Sequence, residues 1–292
     1  MLIDVRRLGP ATLGTEDMNS QVDYYVNVLG LHIAAREESR IILCNTIGEA
    51  NVILEPGKPG LRRLSFIVPD TTDLKALKDI LSSQGVTSDL RSDVLPGVGR
   101  VLSLVDPGAT HLDIYANTAF YKTRRVHTGV DVVRLGHVAR FTTELKRQVE
   151  FYRSILGFRV SDWRQDESAF FLRCGPEHHT VNFFKSEISS LHHIAFEMRD
   201  FSALGRACDI LASAGMRLDW GPSRHVIGHN IACYHSNGDG IRVELFTEMD
   251  QMRDEELGYF EPRPWHEDFP QRPRAWGPEF GRDAWGLLPT KR

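Results

Sequence analysis

The sequence predicts an α+β protein of two tandem, similar domains, each holding two modules in which a strand and a helix are followed by further strands. Three observations lead there. The chain has 292 residues, which at roughly 150 per domain makes about two domains. It contains itself twice. Inside each copy the apolar spacing switches more than once between the strand period of two and the helix period of about 3.6.

The repeat governs every other assignment, because a repeat mistaken for unique sequence misassigns the whole fold. VDYYVNVLGL (Val22 to Leu31) matches VEFYRSILGF (Val149 to Phe158), with Tyr25 on Tyr152 and Gly30 on Gly157, an offset of 127. Leu8-Gly9 falls on Leu135-Gly136 at the same offset. Further on, LRRLSF at Leu61 matches LHHIAF at Leu191 (offset 130), and HLDIY at His111 matches RVELF at Arg242 (offset 131). The copies run near 7–116 and 134–247, joined by a polar, Arg- and Thr-rich stretch, 117–133. This gives an N-terminal domain, 1–125, and a C-terminal domain, 126–292.

The elements are clearest in the second copy. The apolar run LGHVARF reads as a strand. Leu145, Val149, Tyr152, Ile155 and Leu156 then share one helical face, and Gly157 is a natural stop. AFFLRC (Ala169 to Cys174) and HTVNFF (His179 to Phe184) read as strands, and LHHIAFEM (Leu191 to Met198) begins the second module. Phe201 to Gly215 is a helix with Leu204, Cys208 and Leu211 in period. NIACYH and IRVELF close the copy as two strands around Ser236 to Gly240, where Asn-Gly and Asp-Gly mark a turn. From Glu248 onward Pro262, Pro264, Pro270, Pro273 and Pro278 alternate with Trp265, Trp276 and Trp285, so no regular element is expected there. That tail reads as an arm packed on neighbouring surface in preference to a lid closing Trp265 or His266 over a pocket.

Composition excludes several classes. With 41% hydrophobic and 25% charged residues the chain is ordinary globular protein, not disordered, collagenous or coiled-coil. Its 35 Lys+Arg against 39 Asp+Glu give a net charge of −4, without the basic face that nucleic acid demands. Four scattered cysteines make neither a zinc spacing nor a disulfide framework, so a reducing cytoplasm is the expected home. The start, MLIDVRRLGP, lacks an apolar signal core, and no run of about 18 apolar residues suggests a membrane span.

The 12 histidines point to the chemistry. His137, His193 and Glu244 fall on three different strands of the second copy, Glu244 among Ile241, Val243, Leu245 and Phe246. A carboxylate in such a strand must be paired, protonated or metal-bound, because a lone buried charge is too costly. Two imidazoles and a carboxylate, without cysteine, compose the facial triad that holds non-haem Fe(II) and leaves positions open. The repeat supplies an internal control. The corresponding first-copy residues are Pro10, Arg63 and Asp113, so the N-terminal copy is expected to be metal-free and structural.

With these residues in place the chain resembles the type I extradiol (catechol 2,3-type ring-cleaving) dioxygenases of the vicinal oxygen chelate superfamily, from about Leu8 to Thr247. The likeness is most specific at S-R-H-(seven residues)-C-Y-H-S-N-G-D-G-I-R-V-E, Ser223 to Glu244. The family's LGH and LHH strands fall on His137 and His193, its carboxylate ligand on Glu244, its second-sphere His and Tyr on His225 and Tyr234. A further active-site His matches His179. Cys233 and Gly238 depart from the residues usual at their positions, which puts substrate preference and turn rigidity in doubt.

The resemblance implies paired βαβββ modules in each domain, forming an incomplete, barrel-like curved sheet. It implies Fe(II), with Mn(II) as the alternative, and a catecholic substrate opened by O2 to a muconic semialdehyde-type product in aromatic catabolism, by a homo-oligomer. His179, with an imidazole near its ordinary pKa of about 6.5, would be the acid/base, Tyr234 would hold the substrate oxygen, and His225 would position it or close the pocket. His192 is expected on the opposite strand face from His193. Phe170, Phe171, Phe183 and Phe184 are candidate walls, about half of them facing away by alternation. A hydroxyphenylpyruvate-type dioxygenase and a metal-free binder of small aromatics are the alternatives; a glyoxalase-type isomerase would need ligands from both copies, which Pro10 and Arg63 do not provide.

Overall fold

A computed structural model describes residues 2–117, 119–123, 127–261 and 271–286. Four βαβββ modules follow one another. The first runs β1 (Arg7–Thr15), α1 (Met18–Asp23) with a π-helical extension Tyr24–Val28, β2 (His32–Arg36), β3 (Ile41–Cys44) and β4 (Ala50–Pro56). The second is β5 (Gly60–Ile67), α2 (Leu74–Ser83), β6 (Ser88–Leu95), β7 (Val98–Val105) and β8 (His111–Tyr115). The third is β9 (Arg134–Thr142), α3 (Leu145–Ser154), β10 (Arg159–Arg164), β11 (Ala169–Arg173) and β12 (Val181–Lys185). The fourth is β13 (Ser190–Glu197), α4 (Phe201–Ser213), β14 (Leu218–Arg224), β15 (Ile231–Ser236) and β16 (Arg242–Thr247).

Local chemistry explains the element ends. Asp73 and Asp200 cap α2 and α4, their carboxylates accepting backbone N–H bonds from Lys75, Ala76 and Ala203. Gly30 and Gly157 take left-handed φ values of 84° and 78° after the equivalent helices, a conformation open to glycine at little cost. At Gly30 a Cβ would also lie 2.1 Å from the Thr128 carbonyl oxygen.

The strands form two open, mixed sheets, the incomplete barrels expected: β2-β3-β4-β1-β5-β8-β7-β6, and β14-β15-β16-β13-β9-β12-β11-β10 with one further strand at its edge. Their registers repeat. Ala11 pairs with Leu64 as Val138 pairs with Ile194, and Ser65 pairs in parallel with Asp113 as Ala195 pairs with Glu244. The offsets of the sequence repeat are thus those of the backbone.

Three strands of the second half are not legible in the sequence. β10 (RVSDWR) and β14 (LDWGPSR) lack a clean apolar alternation and are partly exposed. The third, β17 (Arg274–Trp276), lies in the proline-rich tail and pairs in parallel with β10, so part of the tail is regular after all. Trp276 is buried, as the packed-arm reading requires. Pro262, Pro264, Trp265, His266 and Pro270 lie outside the described residues.

One apolar core runs through both halves, and the halves exchange contacts reciprocally. Tyr25, beside α1, packs on Phe196 of β13, and its repeat partner Tyr152 of α3 packs on Phe66 of β5, with centroids 6.5 and 6.1 Å apart. The Tyr24 hydroxyl is hydrogen-bonded to His235 Nε2 at 2.7 Å, and Gln21 Oε1 accepts from Asn237 at 2.8 Å. Asp106 of the first half meets Arg140, Gln148 and Tyr152 of the second. No helix among the described residues is long and apolar enough to cross a membrane.

Candidate metal centre

Residues paired across neighbouring strands carry their side chains on one face of a sheet. One such row is His137 on β9, Ala195 on β13, Glu244 on β16 and Tyr234 on β15. A second row sets Asn182, Ala139 and His193 side by side. Each row has an alanine where a larger side chain would fill the space between the polar groups. The opposite face of the same strands, Val138, Ile194 and Val243, belongs to the apolar core, so the backbone is fixed beneath the site.

The three predicted ligands converge. Among the described residues His137, His193 and Glu244 form the group able to hold a metal ion, and all three are buried. Glu244 Oε2 lies 3.1 Å from His137 Nε2 and 3.0 Å from His193 Nε2, and the two Nε2 atoms are 3.2 Å apart. Donor atoms so spaced, each about 2.1 Å from a common ion, subtend about 90–100°, the angles of one face of an octahedron and narrower than tetrahedral. The donor set therefore fits a six-coordinate divalent ion with open positions. Burial alone would raise the Glu244 pKa, yet the facing His137 and His193 imidazoles draw it well below the carboxylate range, while burial, opposed by Glu244, lowers His193 to about 4. His193 is thus poised as a neutral ligand beside an ionised carboxylate.

Around the ligands lies a second layer. Asn230 donates to the other carboxylate oxygen, Glu244 Oε1, at 2.8 Å. The sequence does not mark Asn230 for this part, since nothing in its spacing says where its amide points. For His193 to offer Nε2, its Nδ1 must carry the proton, which it donates to His192 Nδ1 at 2.6 Å. His192 is therefore not on the far face: the β9–β13 ladder shifts register between Leu191 and His193, and a bulge of this kind turns consecutive side chains to one side. It lines the cavity between Phe141 and Phe184.

His179 stands beside the centre, its ring 4.4 Å from that of His137. It precedes β12 and is not part of that strand. Its pKa is not the ordinary one expected: burial, then the neighbouring His137 and His178 imidazoles, hold it well below 6.5. Behind it runs a buried chain in which Asp162 Oδ2 lies 2.9 Å from His178 Nε2 and His178 Nδ1 lies 2.9 Å from His179 Nδ1. With His178 Nε2–H donated to Asp162, His178 Nδ1 is placed to accept from His179 Nδ1–H, an arrangement that leaves His179 an unprotonated Nε2. Trp276 Nε1 and the Arg274 backbone N–H fix Asp162 from the tail.

Tyr234 is buried and its hydroxyl lies 3.0 Å from His225 Nε2. His225 stacks on Trp220 at 4.7 Å, and its Nδ1 lies 3.2 Å from the Arg282 carbonyl oxygen. All six predicted site residues line a single cavity of about 370 Å³. Of the four candidate aromatic walls, Phe171 and Phe184 line it, whereas Phe183 is buried in the core and Phe170 packs against it, the alternation the strands impose.

Among the described residues the first copy carries no such centre. Arg63 donates to Asp113 Oδ1 at 3.0 Å, and Ser103 donates to the same oxygen. An ion pair occupies the place of the His/Glu ligands, which accounts for the two halves keeping one fold with one ligand set.

Comparison with known proteins agrees with this geometry. Residues 134–245 match the family model of the Glyoxalase/Bleomycin resistance protein/Dioxygenase superfamily. Metapyrocatechase 2 of Cupriavidus necator is 36% identical over 120 residues, 41% of this chain and 38% of that protein. Metapyrocatechase of Pseudomonas sp. (strain CF600) is 25% identical over 263 residues, 83% of this chain and 86% of that one. Other relatives are named by different metals: an iron-dependent extradiol dioxygenase of Rhodococcus jostii (24%, covering 87% and 92%) and a manganese-dependent 2,3-dihydroxybiphenyl 1,2-dioxygenase of Geobacillus genomosp. 3 (22%, covering 96% and 96%). The crystal structure of the 2,3-dioxygenase LapB from Pseudomonas sp. KL28 superimposes with a TM-score of 0.82 at 20% identity, over 96% of this chain and 99% of that one. The second half of this chain thus matches the model of the Glyoxalase/Bleomycin resistance protein/Dioxygenase superfamily, and the chain as a whole has the fold of the 2,3-dioxygenase LapB.

Proposed function

We propose that this chain is an extradiol ring-cleaving dioxygenase that opens a catecholic ring with both atoms of O2 in aromatic catabolism. The observation that carries the reading is the buried His137, His193 and Glu244 face, open to a cavity in which His179, Tyr234 and His225 stand. The C-terminal domain, 126–292, is catalytic and the N-terminal domain, 1–125, is a metal-free scaffold. A divalent ion belongs in the site; Fe(II) is our assignment, with Mn(II) the alternative that the relatives' names keep open. The chemistry such an ion supplies is chelation of a catechol through both oxygens and activation of dioxygen beside it.

The chain's own residues divide the remaining work. His137, His193 and Glu244 hold the ion with one negative charge, leaving one unit of positive charge for a catecholate to neutralise. The bare Nε2 of His179, held by Asp162 and His178, accepts a catechol proton and later returns it. Tyr234 donates to the deprotonated substrate oxygen, and His225 fixes the orientation of that hydroxyl. Phe141, Phe171 and Phe184 exclude water from the ring. The four free cysteines suit a reducing cytoplasm, and self-association, implied by the resemblance, belongs to the same proposal and is read by sedimentation.

The test is anaerobic loading with Fe(II), then addition of catechol, 3-methylcatechol or 2,3-dihydroxybiphenyl in aerated buffer. Oxygen uptake with a yellow ring-fission product is expected for at least one. Iron bound with no oxygen uptake from any catechol would defeat the reading, and no iron bound would favour a metal-free binding module.

A further inference from the structure

The cavity wall holds more positive charge than the metal centre and a plain catechol can use. Arg164, Arg242 and Arg282 all line it, while Glu244 is the one carboxylate on that wall and is already engaged by His137, His193 and Asn230. Elsewhere buried arginines are paired, Arg140 with Asp106 and Arg173 with Glu255. Among the described residues no carboxylate pairs with the three cavity arginines.

Their settings argue against idle surface charge. Arg164 donates to the Gly277 and Phe280 carbonyl oxygens at 3.2 and 2.8 Å, which fixes it without neutralising it. Arg242 stands two residues before Glu244 on β16, so it leaves the sheet on the same face. Its guanidinium lies 4.3 Å over the Tyr234 ring, and its Nε is buried with no partner. Arg282 is exposed at the mouth, on the segment whose carbonyl meets His225. A half-buried cation such as Arg242, without counter-charge, is costly, and a guanidinium is the side chain best shaped to hold a carboxylate by two parallel bonds. Both hydroxyls of a bound catechol are committed at the metal end, so they cannot supply that partner.

We infer that the substrate is a catechol carrying a short carboxylate-ended substituent, held by Arg242 and Arg282 in the field of Arg164. This rests on the dioxygenase reading and narrows it. The cavity, about 370 Å³, is near the small end of ligand pockets, which suits one ring with a short chain.

The test is anaerobic calorimetric titration of the Fe(II)-loaded full chain with 3,4-dihydroxyphenylacetate and with 4-ethylcatechol, its uncharged analogue of similar size. The acid should bind at least about tenfold tighter, the effect of one charge-assisted hydrogen bond, and this preference should shrink with added salt. In Arg242→Gln and, at the exposed mouth, Arg282→Gln, it should fall to within about twofold. Equal affinities in the unaltered protein, or a preference kept in both variants, would overturn the inference. Because binding is read without turnover, the two readings fail separately. Tight, arginine-dependent binding of the acid without oxygen uptake would sink the dioxygenase reading alone, and cleavage of both compounds with equal affinities would sink this one.

Discussion

At the scale of single residues, the centre depends on three side chains that have no other reason to be buried together. Replacing His193 or Glu244 by Ala should abolish both metal retention and turnover, whereas Asp113→Ala should leave the metal in place. That variant strands Arg63 and Ser103 and should cost about 1–3 kcal/mol of stability; metal analysis beside thermal unfolding separates the two effects. His179→Phe should keep the metal and slow oxygen chemistry greatly. Asp162→Asn should act through the same histidine, because an amide can donate to His178 and reverse the tautomer chain; a loss of about tenfold to a hundredfold in kcat is expected, with metal content unchanged. Normal kcat in Asp162→Asn would detach Asp162 from the chemistry. The ligands were legible because charge among apolar strand residues needs a partner and because the repeat provides a copy without them. Asn230, Asp162 and His178 were not, since their parts depend on which atoms face each other across 14 and 16 residues of sequence.

At the scale of elements, four adjacent strands set a row of side chains at a fixed spacing, with alanine at its centre. Ala195→Leu should keep the fold's strands yet crowd the space between His137 and Glu244, weakening metal binding by tenfold or more in a competition titration. Affinity equal to that of the unaltered chain would mean that this row does not set the site's dimensions. The strands with clean apolar runs, β9, β13 and β16, could be read from period alone. β10, β14 and β17 could not, because they are edge-ward and partly polar, and their positions are settled by neighbours that only the sheet order reveals. The bulge beside His193 belongs to the same class: alternation assigns His192 to the far face, and one register shift brings it into the cavity.

At the scale of the whole molecule, the duplication does more than repeat a scaffold. Each half lends an aromatic from its first helical segment to the other's sheet, and polar contacts such as Tyr24–His235 bind the two. The repeat predicted two domains, but not this exchange, because equivalent residues in a repeat say nothing about which copy they touch. One consequence is a dependence on pH. His235 is buried, and burial, partly opposed by Asp219, lowers its pKa from 6.5 to about 4. The unfolded chain therefore takes up the proton first. The stability that neutral His235 contributes is complete above about pH 6.5 and is lost as the pH falls towards about 4. Chemical unfolding from pH 7.5 to about 4.5 should show a steeper decline for the unaltered protein than for His235→Gln, and parallel curves would remove this residue from the interface's pH response.

The most direct test of the central claim is the structure, by nuclear magnetic resonance, of the product that the Fe(II)-loaded protein forms from catechol, followed with the oxygen consumed. An extradiol centre at His137, His193 and Glu244 predicts one O2 used per catechol and a ring-opened product with a single aldehyde proton. A symmetric diacid, from cleavage between the hydroxyls, or a quinone formed with peroxide would contradict it.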